Sequence, residues 1–449
     1  METREEIKEQ KNPITEGVIW KQLLIFFFPI AVGTLFQQLY NTVDAVVVGR
    51  FVGKQALAAV GGSAAVLANM VVGFFTGLSA GATVIISQFF GARDWKRLEQ
   101  GMHTAYAFSL LFSILISIAG FLLAPWLLEI MKTPADTMAD SVLYLRIYFL
   151  GLVFTLIYNI GASILRAIGD SRRPLYYLIV CCIINIVLDI VMVVFFHWGI
   201  AGAAIATIIA QAVSAVLVTR ELMRSTVIPK LQLKAIRIHG AMLREEFRLG
   251  LPGGIQSLMY SLTNIIIQTS VNGFGTDTAA AWAAYGKLDA IFWTITGAFG
   301  IAITTFSGQN YGAGKKDRVR KSLRVCLGLS LSTASVILTF LFIACHPLYR
   351  IFTTDREVIE IGTYMLRFIA PSYLIYTLVE IFSGTLRGMG NVLIPTLITL
   401  GGVCLIRLPW VLFVVPAYGQ LSTLLLSYPV AWAATALLLV PYYFWKMKK

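Results

Sequence analysis

The chain has 449 residues, of which 57% are hydrophobic and only 13% charged, and its formal net charge is +13. Soluble domains carry roughly 25% charged residues, so this composition excludes an ordinary soluble domain. The positive charge does not indicate nucleic-acid binding, because most of the basic residues lie in loops between apolar segments.

Twelve apolar segments of bilayer length recur along the whole chain, and a segment of this kind is typical of a transmembrane helix. The chain is therefore predicted to be an all-α polytopic membrane protein. The twelve predicted spans are residues 19 to 48, 56 to 86, 102 to 124, 140 to 165, 174 to 196, 200 to 219, 249 to 272, 279 to 306, 322 to 345, 358 to 385, 392 to 416 and 420 to 445.

The loops differ in charge on the two sides of the membrane. With twelve spans both termini share one side, where the loops and termini carry 27 Lys and Arg, while the opposite loops carry five and the spans four. Cytoplasmic loops of membrane proteins are enriched in basic residues. Both termini are therefore predicted to be cytoplasmic.

The sequence repeats itself after 221 residues. This shift places the segment Gln88-Phe-Phe-Gly-Ala on Gln309-Asn-Tyr-Gly-Ala, and Leu165-Arg-x-x-Gly-Asp on Leu386-Arg-x-x-Gly-Asn. Two matches at one offset indicate a duplication. Each copy holds six spans, an even number, so both copies should insert in the same orientation.

The duplication predicts the domain organisation. We expect an N-terminal six-helix lobe at 1–222, a cytoplasmic linker at 223–242 and a C-terminal six-helix lobe at 243–449. Parallel repeats of this kind are related by a pseudo-twofold axis along the membrane normal, with the substrate site between them.

Two acidic residues lie within spans. Asp44 is near the end of the first span and Asp189 is in the fifth. An ionised side chain at the bilayer centre costs about 2.5 to 3.5 kcal/mol, so an acid there usually has a function. Two of them favour ion-coupled transport. The structural alternatives are an interfacial pair of Asp44 with Arg50 and a helix-to-helix hydrogen bond of Asp189 with Asn185.

A polar stripe precedes Asp44 at helical spacing and recurs in the second half, where it predicts a cavity lining in both lobes. At the position of Asp44, however, the second half has Ile267. The predicted cavity-lining residues are Gln37, Tyr40, Asn41, Gln256, Tyr260 and Asn264.

These residues together resemble the multidrug and toxic compound extrusion (MATE) transporters, in particular their bacterial DinF-like branch, over essentially the full length. The features are Pro29 and Asp44 in the first span, the two repeated segments described above, and Asn185-x-x-x-Asp189 in the fifth span. The resemblance implies a V-shaped pair of lobes that alternates between outward-facing and inward-facing states. It also implies a bend of the first helix at Pro29. The cation site that it implies consists of Asp44, Asn159, Asn185, Asp189 and Thr207.

The expected function is a cation-coupled antiporter, without catalytic residues, that exports amphipathic, often cationic drugs or toxic metabolites by alternating access. It would act as a monomer in the plasma (inner) membrane of a bacterium, with a small-molecule substrate and the lipid bilayer as partners and no nucleic acid. No cofactor or metal site is expected beyond the coupling ion, H+ or Na+. The oxygens of the site would suit either ion, and we expect the proton.

Three alternatives stay open. Glu380 in the tenth span is a candidate for a sodium site in the C-terminal lobe. A flippase for a lipid-linked or polar metabolite would use the same lobes, but would favour a strongly basic central cavity. A membrane-embedded enzyme would need a nucleophile and base, metal ligands or a phosphate loop within the spans. Two further features are structural predictions: Arg407, deep in the eleventh span, needs a partner, and Gly73, Gly77 and Gly81 predict close helix packing.

Overall fold

The computed structural model describes residues 12–448, which form helices joined by short connections and include no β-strand. The α-helices are α1 (Pro13–Glu16), α2 (Ile19–Phe51), α3 (Lys54–Gly61), α4 (Ser63–Ala92), α5 (Trp95–Ile130), α6 (Ala135–Ala167), α7 (Arg172–Asp189), α8 (Gly199–Met223), α9 (Gly240–Asn272), α10 (Thr276–Gly312), α11 (Lys316–Phe352), α12 (Arg356–Ile369), α13 (Tyr373–Gly388), α14 (Leu393–Leu400), α15 (Val415–Tyr418) and α16 (Leu421–Lys448). Residues Ile190–Phe195, Gly401–Arg407 and Trp410–Val414 are π-helical, and Leu233–Ala235 and Ala370–Ser372 are 3-10 turns.

Eleven helical stretches in residues 12–448 are long and apolar enough to cross a bilayer. The remaining predicted span corresponds to α9, whose 33 residues would extend about 50 Å. Its polar residues, among them Gln256, Asn264 and Gln268, make it less apolar than the others. The predicted all-α membrane fold is confirmed.

Two predicted spans are interrupted. The second consists of α3 and α4, which meet at the consecutive glycines Gly61 and Gly62. The tenth consists of α12 and α13, separated by the turn that contains Pro371. Proline lacks the backbone N–H that would continue the helical hydrogen bonds, and glycine weakens a helix interior. Local residue chemistry therefore explains both breaks.

The duplication is visible in the backbone. Positive φ angles recur in the two halves at a spacing of 221 or 222 residues, at Gly53 and Gly275, Arg93 and Gly314, Gly169 and Gly390, and His197 and Gly419. Helix packing within each half also matches. In the first half α6 packs against α4, α5 and α8, and in the second half α13 packs against α10, α11 and α16.

The chain divides into two compact units. One consists of Phe28–Gly254, and the other combines Pro13–Phe27 with Ile255–Lys449. Both α2 and α9 therefore contribute to two units, and each division lies within three residues of a proline, Pro29 in α2 and Pro252 in α9. The division of the sequence into lobes at 1–222 and 243–449 stays a prediction. Residues 1–11 and 449 of those lobes lie outside the described part of the chain.

Each unit has its own apolar core. In the first unit α6 contributes Leu145, Phe149, Leu152 and Leu156, which lie along one face of the helix and are buried against α4 and α5. In the second unit the core is rich in aromatic rings. The rings of Phe292 and Tyr373 are stacked there with their centroids 4.0 Å apart.

Glycines allow α4 and the start of α9 to approach closely within the first unit. A Cβ atom at Gly77 would meet the backbone of Gly253, and one at Gly81 would meet the backbone of Glu246 and Gly250. The predicted packing role of Gly77 and Gly81 is confirmed.

Gly81→Ala should destabilise the protein, because the added methyl group meets backbone atoms that no side-chain rotation can move. Overpacking of this kind typically costs about 1 to 3 kcal/mol. We expect a lower thermal unfolding midpoint in detergent. Gly328→Ala in α11 is the matched control, since nothing lies within 4 Å of its added Cβ. Equal midpoints for the two variants would contradict the proposed close packing.

Candidate functional site

Three helices of the first unit bring the predicted ion-site residues together. Asp44 comes from α2, Asn185 and Asp189 from α7, and Thr207 from α8. The Thr207 hydroxyl Oγ1 lies 3.4 Å from Asp44 Oδ2, and Asn185 Nδ2 lies 3.4 Å from Thr207 Oγ1. The carboxyl groups of Asp44 and Asp189 face each other within hydrogen-bonding range.

The cluster is deeply buried and contains more acceptors than donors. Asn185 is 1% exposed and Asp189 0%, while Asp44 and Thr207 are half-buried. Four oxygens receive no hydrogen bond within residues 12–448: Asp44 Oδ1, Asn185 Oδ1 and both carboxyl oxygens of Asp189. Two ionised carboxyl groups offer each other only acceptors, so a hydrogen bond between them requires a proton on one.

Neither acid has a basic partner. The ion pairs formed by the described residues include neither Asp44 nor Asp189. The alternative pairing of Asp44 with Arg50 is therefore absent. Burying like charges close together without a counter-ion is unfavourable, and a proton or a small cation between them relieves the repulsion. The arrangement is chemically suited to bind one or the other.

The backbone changes its hydrogen-bonding pattern at the acid. Asp189 is the last residue of α7, and the π-helical segment begins at Ile190. Segments of this type occur frequently at functional sites. In the second unit α14 also continues into a π-helical segment, at Gly401. The backbone feature thus belongs to the repeat, whereas the acids occur only in the first copy.

The other predicted residues of the first unit are less closely connected. Asn159 of α6 is half-buried and shares no hydrogen bond with the cluster among the described residues. Tyr40, one turn before Asp44, is buried at 9% exposure. Gln37 and Asn41 are exposed within the unit. Four of the five predicted ion-site residues therefore come together, and the role of Asn159 stays a prediction.

The sequence analysis missed two tyrosines of α6. Tyr144 lies close enough to feel the charges of Asp44 and Asp189, and Tyr148 lies beside Tyr40. The two rings are stacked with centroids 6.2 Å apart. Their spacing of four residues in a predicted span was a signal for one shared helix face. No sequence pattern, however, showed that this face points toward the acids.

The predicted residues of the second unit have different surroundings. Tyr260 lies one turn from Gln256, within hydrogen-bonding range, and Asn264 is exposed within the unit. Glu380 accepts a hydrogen bond of 2.6 Å from Arg387 Nη2, and the two residues form an ion pair. The charge of Glu380 is therefore already balanced by a neighbouring residue.

A second acid and a second arginine of this unit lie among aromatic side chains. Asp289 accepts hydrogen bonds of 2.6 Å from the Tyr373 hydroxyl and from Trp293 Nε1. The Arg407 guanidinium lies 3.4 Å from the centroid of the Tyr428 ring. The partner that the sequence could not supply for Arg407 is thus an aromatic face.

Known proteins resemble this chain over its whole length. The family model MatE matches residues 29–191 and again 252–412, one match in each half. The probable multidrug resistance protein YoeA of Bacillus subtilis is 30% identical, in an alignment that covers 100% of this chain and 99% of that protein. The multidrug export protein MepA of Staphylococcus aureus is 22% identical over 96% of this chain and 94% of its own length.

Solved structures share the fold. An outward-facing multidrug resistance MATE family transporter of the MOP superfamily superposes with a TM-score of 0.90, at 19% identity and with 98% of both chains covered. The two family-model matches correspond to the two halves of the duplication, and the relative at 30% identity spans the entire chain. The protein therefore belongs to the MatE family of membrane transporters.

Proposed function

We propose that the protein is a proton-coupled antiporter that exports amphipathic, often cationic compounds by alternating access. The substrate class is supported by the relatives, which are named as multidrug resistance and multidrug export proteins. The coupling is supported by one observation above all: Asp44 and Asp189 are close together without a basic partner, and their free oxygens lack donors.

Proton binding follows from the charge of this pair. With both acids ionised, the buried cluster holds two negative charges and no cation. One proton shared by Asp44 and Asp189 removes one charge and supplies the missing hydrogen-bond donor. Sodium is the rival ion, because the same oxygens could coordinate it. The proton is favoured because Asn185 Nδ2 and the Thr207 hydroxyl already act as donors, so a single proton completes an existing hydrogen-bond network.

Proton binding would change the contacts of α2. Asp44 is the residue through which α2 contacts Thr207 of α8, and neutralising it weakens that charge-assisted contact. Pro29 lies fifteen residues earlier in the same helix, where the missing N–H already interrupts the backbone hydrogen bonds. We propose that α2 bends at Pro29 when the contact is released, and that this bend links ion binding to the change between outward-facing and inward-facing states.

The ion site is proposed for the first unit alone. In the second unit Glu380 is paired with Arg387. Both oxygens of Asp289 accept hydrogen bonds from ring side chains. The acids there have donors, whereas those of the first unit do not.

Asp44→Asn and Asp189→Asn should each abolish substrate efflux from everted vesicles while the protein stays folded in the membrane, because an amide cannot take up and release the proton. Glu380→Gln should have the smaller effect. Asp136→Asn, an exposed acid at the start of α6, is the control and should leave efflux unchanged. The assignment fails if only Glu380→Gln stops efflux.

An imposed pH gradient should drive transport in proteoliposomes without sodium, whereas a sodium gradient at equal pH should not. The expected readout is substrate accumulation against its own gradient, measured for the wild type and for Asp44→Asn. Accumulation that requires sodium and ignores the pH gradient would show that the site binds sodium instead.

Pro29→Ala should reduce transport without removing the ion site, because alanine restores the backbone N–H and stiffens α2. The measurement pairs substrate efflux with proton release on substrate addition to detergent-solubilised protein. We expect slower efflux and unchanged proton release. Loss of both would mean that Pro29 stabilises the site itself and does not act as a hinge.

A further inference from the structure

The second unit buries an arginine whose donors are free. Arg407 ends the π-helical segment Gly401–Arg407 and is 4% exposed. Its Nε and Nη2 atoms have no hydrogen-bond acceptor within residues 12–448. A buried charge is costly unless it is paired, and an ionisable side chain at membrane depth usually has a function.

The aromatic partner leaves the hydrogen-bonding edge of Arg407 unoccupied. Tyr428 contacts the face of the guanidinium, with its ring centroid 3.4 Å from the central carbon. A ring face stabilises the positive charge but accepts none of the in-plane N–H bonds. Nε and Nη2 lie on the same edge of the guanidinium, the edge that binds a carboxylate with two parallel hydrogen bonds.

The acids of this unit do not occupy that edge. The field of Arg407 reaches Asp289, but the two form no ion pair among the described residues. Asp289 Oδ1 and Oδ2 accept their bonds of 2.6 Å from Tyr373 and Trp293 instead. Glu380 is engaged by Arg387.

The first copy of the repeat provides an internal control. The 221-residue shift that aligns the two halves places Arg407 on Ile186, next to Asn185. An apolar residue thus satisfies the fold at this position, and the helix of the first copy also continues into a π-helical segment. The repeated architecture does not require a cation there.

We propose that Arg407 binds the carboxylate of a zwitterionic amphiphile through Nε–H and Nη2–H. This proposal rests on the proposed export of amphipathic compounds and narrows their class to molecules that carry an acid group together with a cationic aromatic body. The rings of Trp293, Tyr376 and Trp432, which pack against one another beside Asp289, supply an apolar and π-rich wall for that body. Because Arg407 is buried, binding requires the π-helical segment to separate from α16.

Two dyes that differ in one group test this inference. A xanthylium dye with a free benzoate carboxylate and its methyl ester share the same aromatic cation, but only the acid can pair with Arg407. Their Kd values would be measured by fluorescence anisotropy on protein in nanodiscs. The proteins compared are the wild type, Arg407→Gln, Arg407→Lys and Arg367→Gln. Arg367 is the matched control, since its guanidinium also lies over a ring, that of Phe342, but is exposed.

For Arg407→Gln we expect the affinity for the acid dye to fall by about tenfold or more, the typical weight of a charge-assisted hydrogen-bond pair. The affinity for the ester should change by less than about twofold, which corresponds to a small fraction of one such bond. Arg407→Lys should lose an intermediate part, since lysine keeps the charge but not the paired donors. Arg367→Gln should behave as the wild type.

An equal loss for both dyes, no loss for either, or failure of the acid dye to bind the wild type would overturn the inference. If Arg407→Gln does not fold, as judged by its thermal midpoint, Arg407→Lys is assessed by the same acid-to-ester ratio. If replacing chloride by a large organic anion, and not Arg407→Gln, changes the acid-to-ester ratio, the site binds free chloride and the inference is also overturned. Export of the ester, tested with Asp44→Asn, reports on the proposed function separately, because the ester has no group for Arg407.

Discussion

The close approach of Asp44 and Asp189 is the interaction on which the rest of this structure depends. Two acids buried in one cluster without a basic partner cannot both remain ionised at low energy. The surrounding donors, Asn185 and Thr207, are too few to satisfy the carboxyl oxygens. The cluster is therefore stable only with a bound proton or cation, and its contacts differ between the loaded and the empty state. This dependence gives three packed helices the property that a coupled transporter needs.

The two units use one backbone plan and balance their charges in opposite ways. Positive-φ turns and π-helical segments recur in both halves, so the duplication has kept the geometry. In the first unit two acids lack a basic partner. In the second unit Glu380 has Arg387, and the guanidinium of Arg407 has only an aromatic face. A repeated fold thus provides two differently charged interiors, one suited to a cation and the other to an anionic group.

Helices α2 and α9 depart from the simple picture of two independent six-helix repeats. Each contributes to both compact units, and each division lies beside a proline, Pro29 or Pro252. A proline within a helix removes a backbone hydrogen bond, so these are the positions at which a long helix bends with least loss. In the first unit this position lies on the same helix as Asp44. Any change in the contacts of that acid therefore acts directly on a helix that is already weakened.

The sequence by itself determined the helices, the spans and the duplication, because apolar length, loop charge and repeated motifs are properties of the linear chain. It also singled out Asp44 and Asp189, since a charge within an apolar span is conspicuous without any structure. Only the tertiary structure decided which polar groups meet. Tyr144 and Tyr148 approach the acids, Asn159 does not join their hydrogen bonds, and Arg407 faces Tyr428. Such contacts depend on the rotation and packing of helices about their axes, and residues far apart in sequence carry no local signal of them.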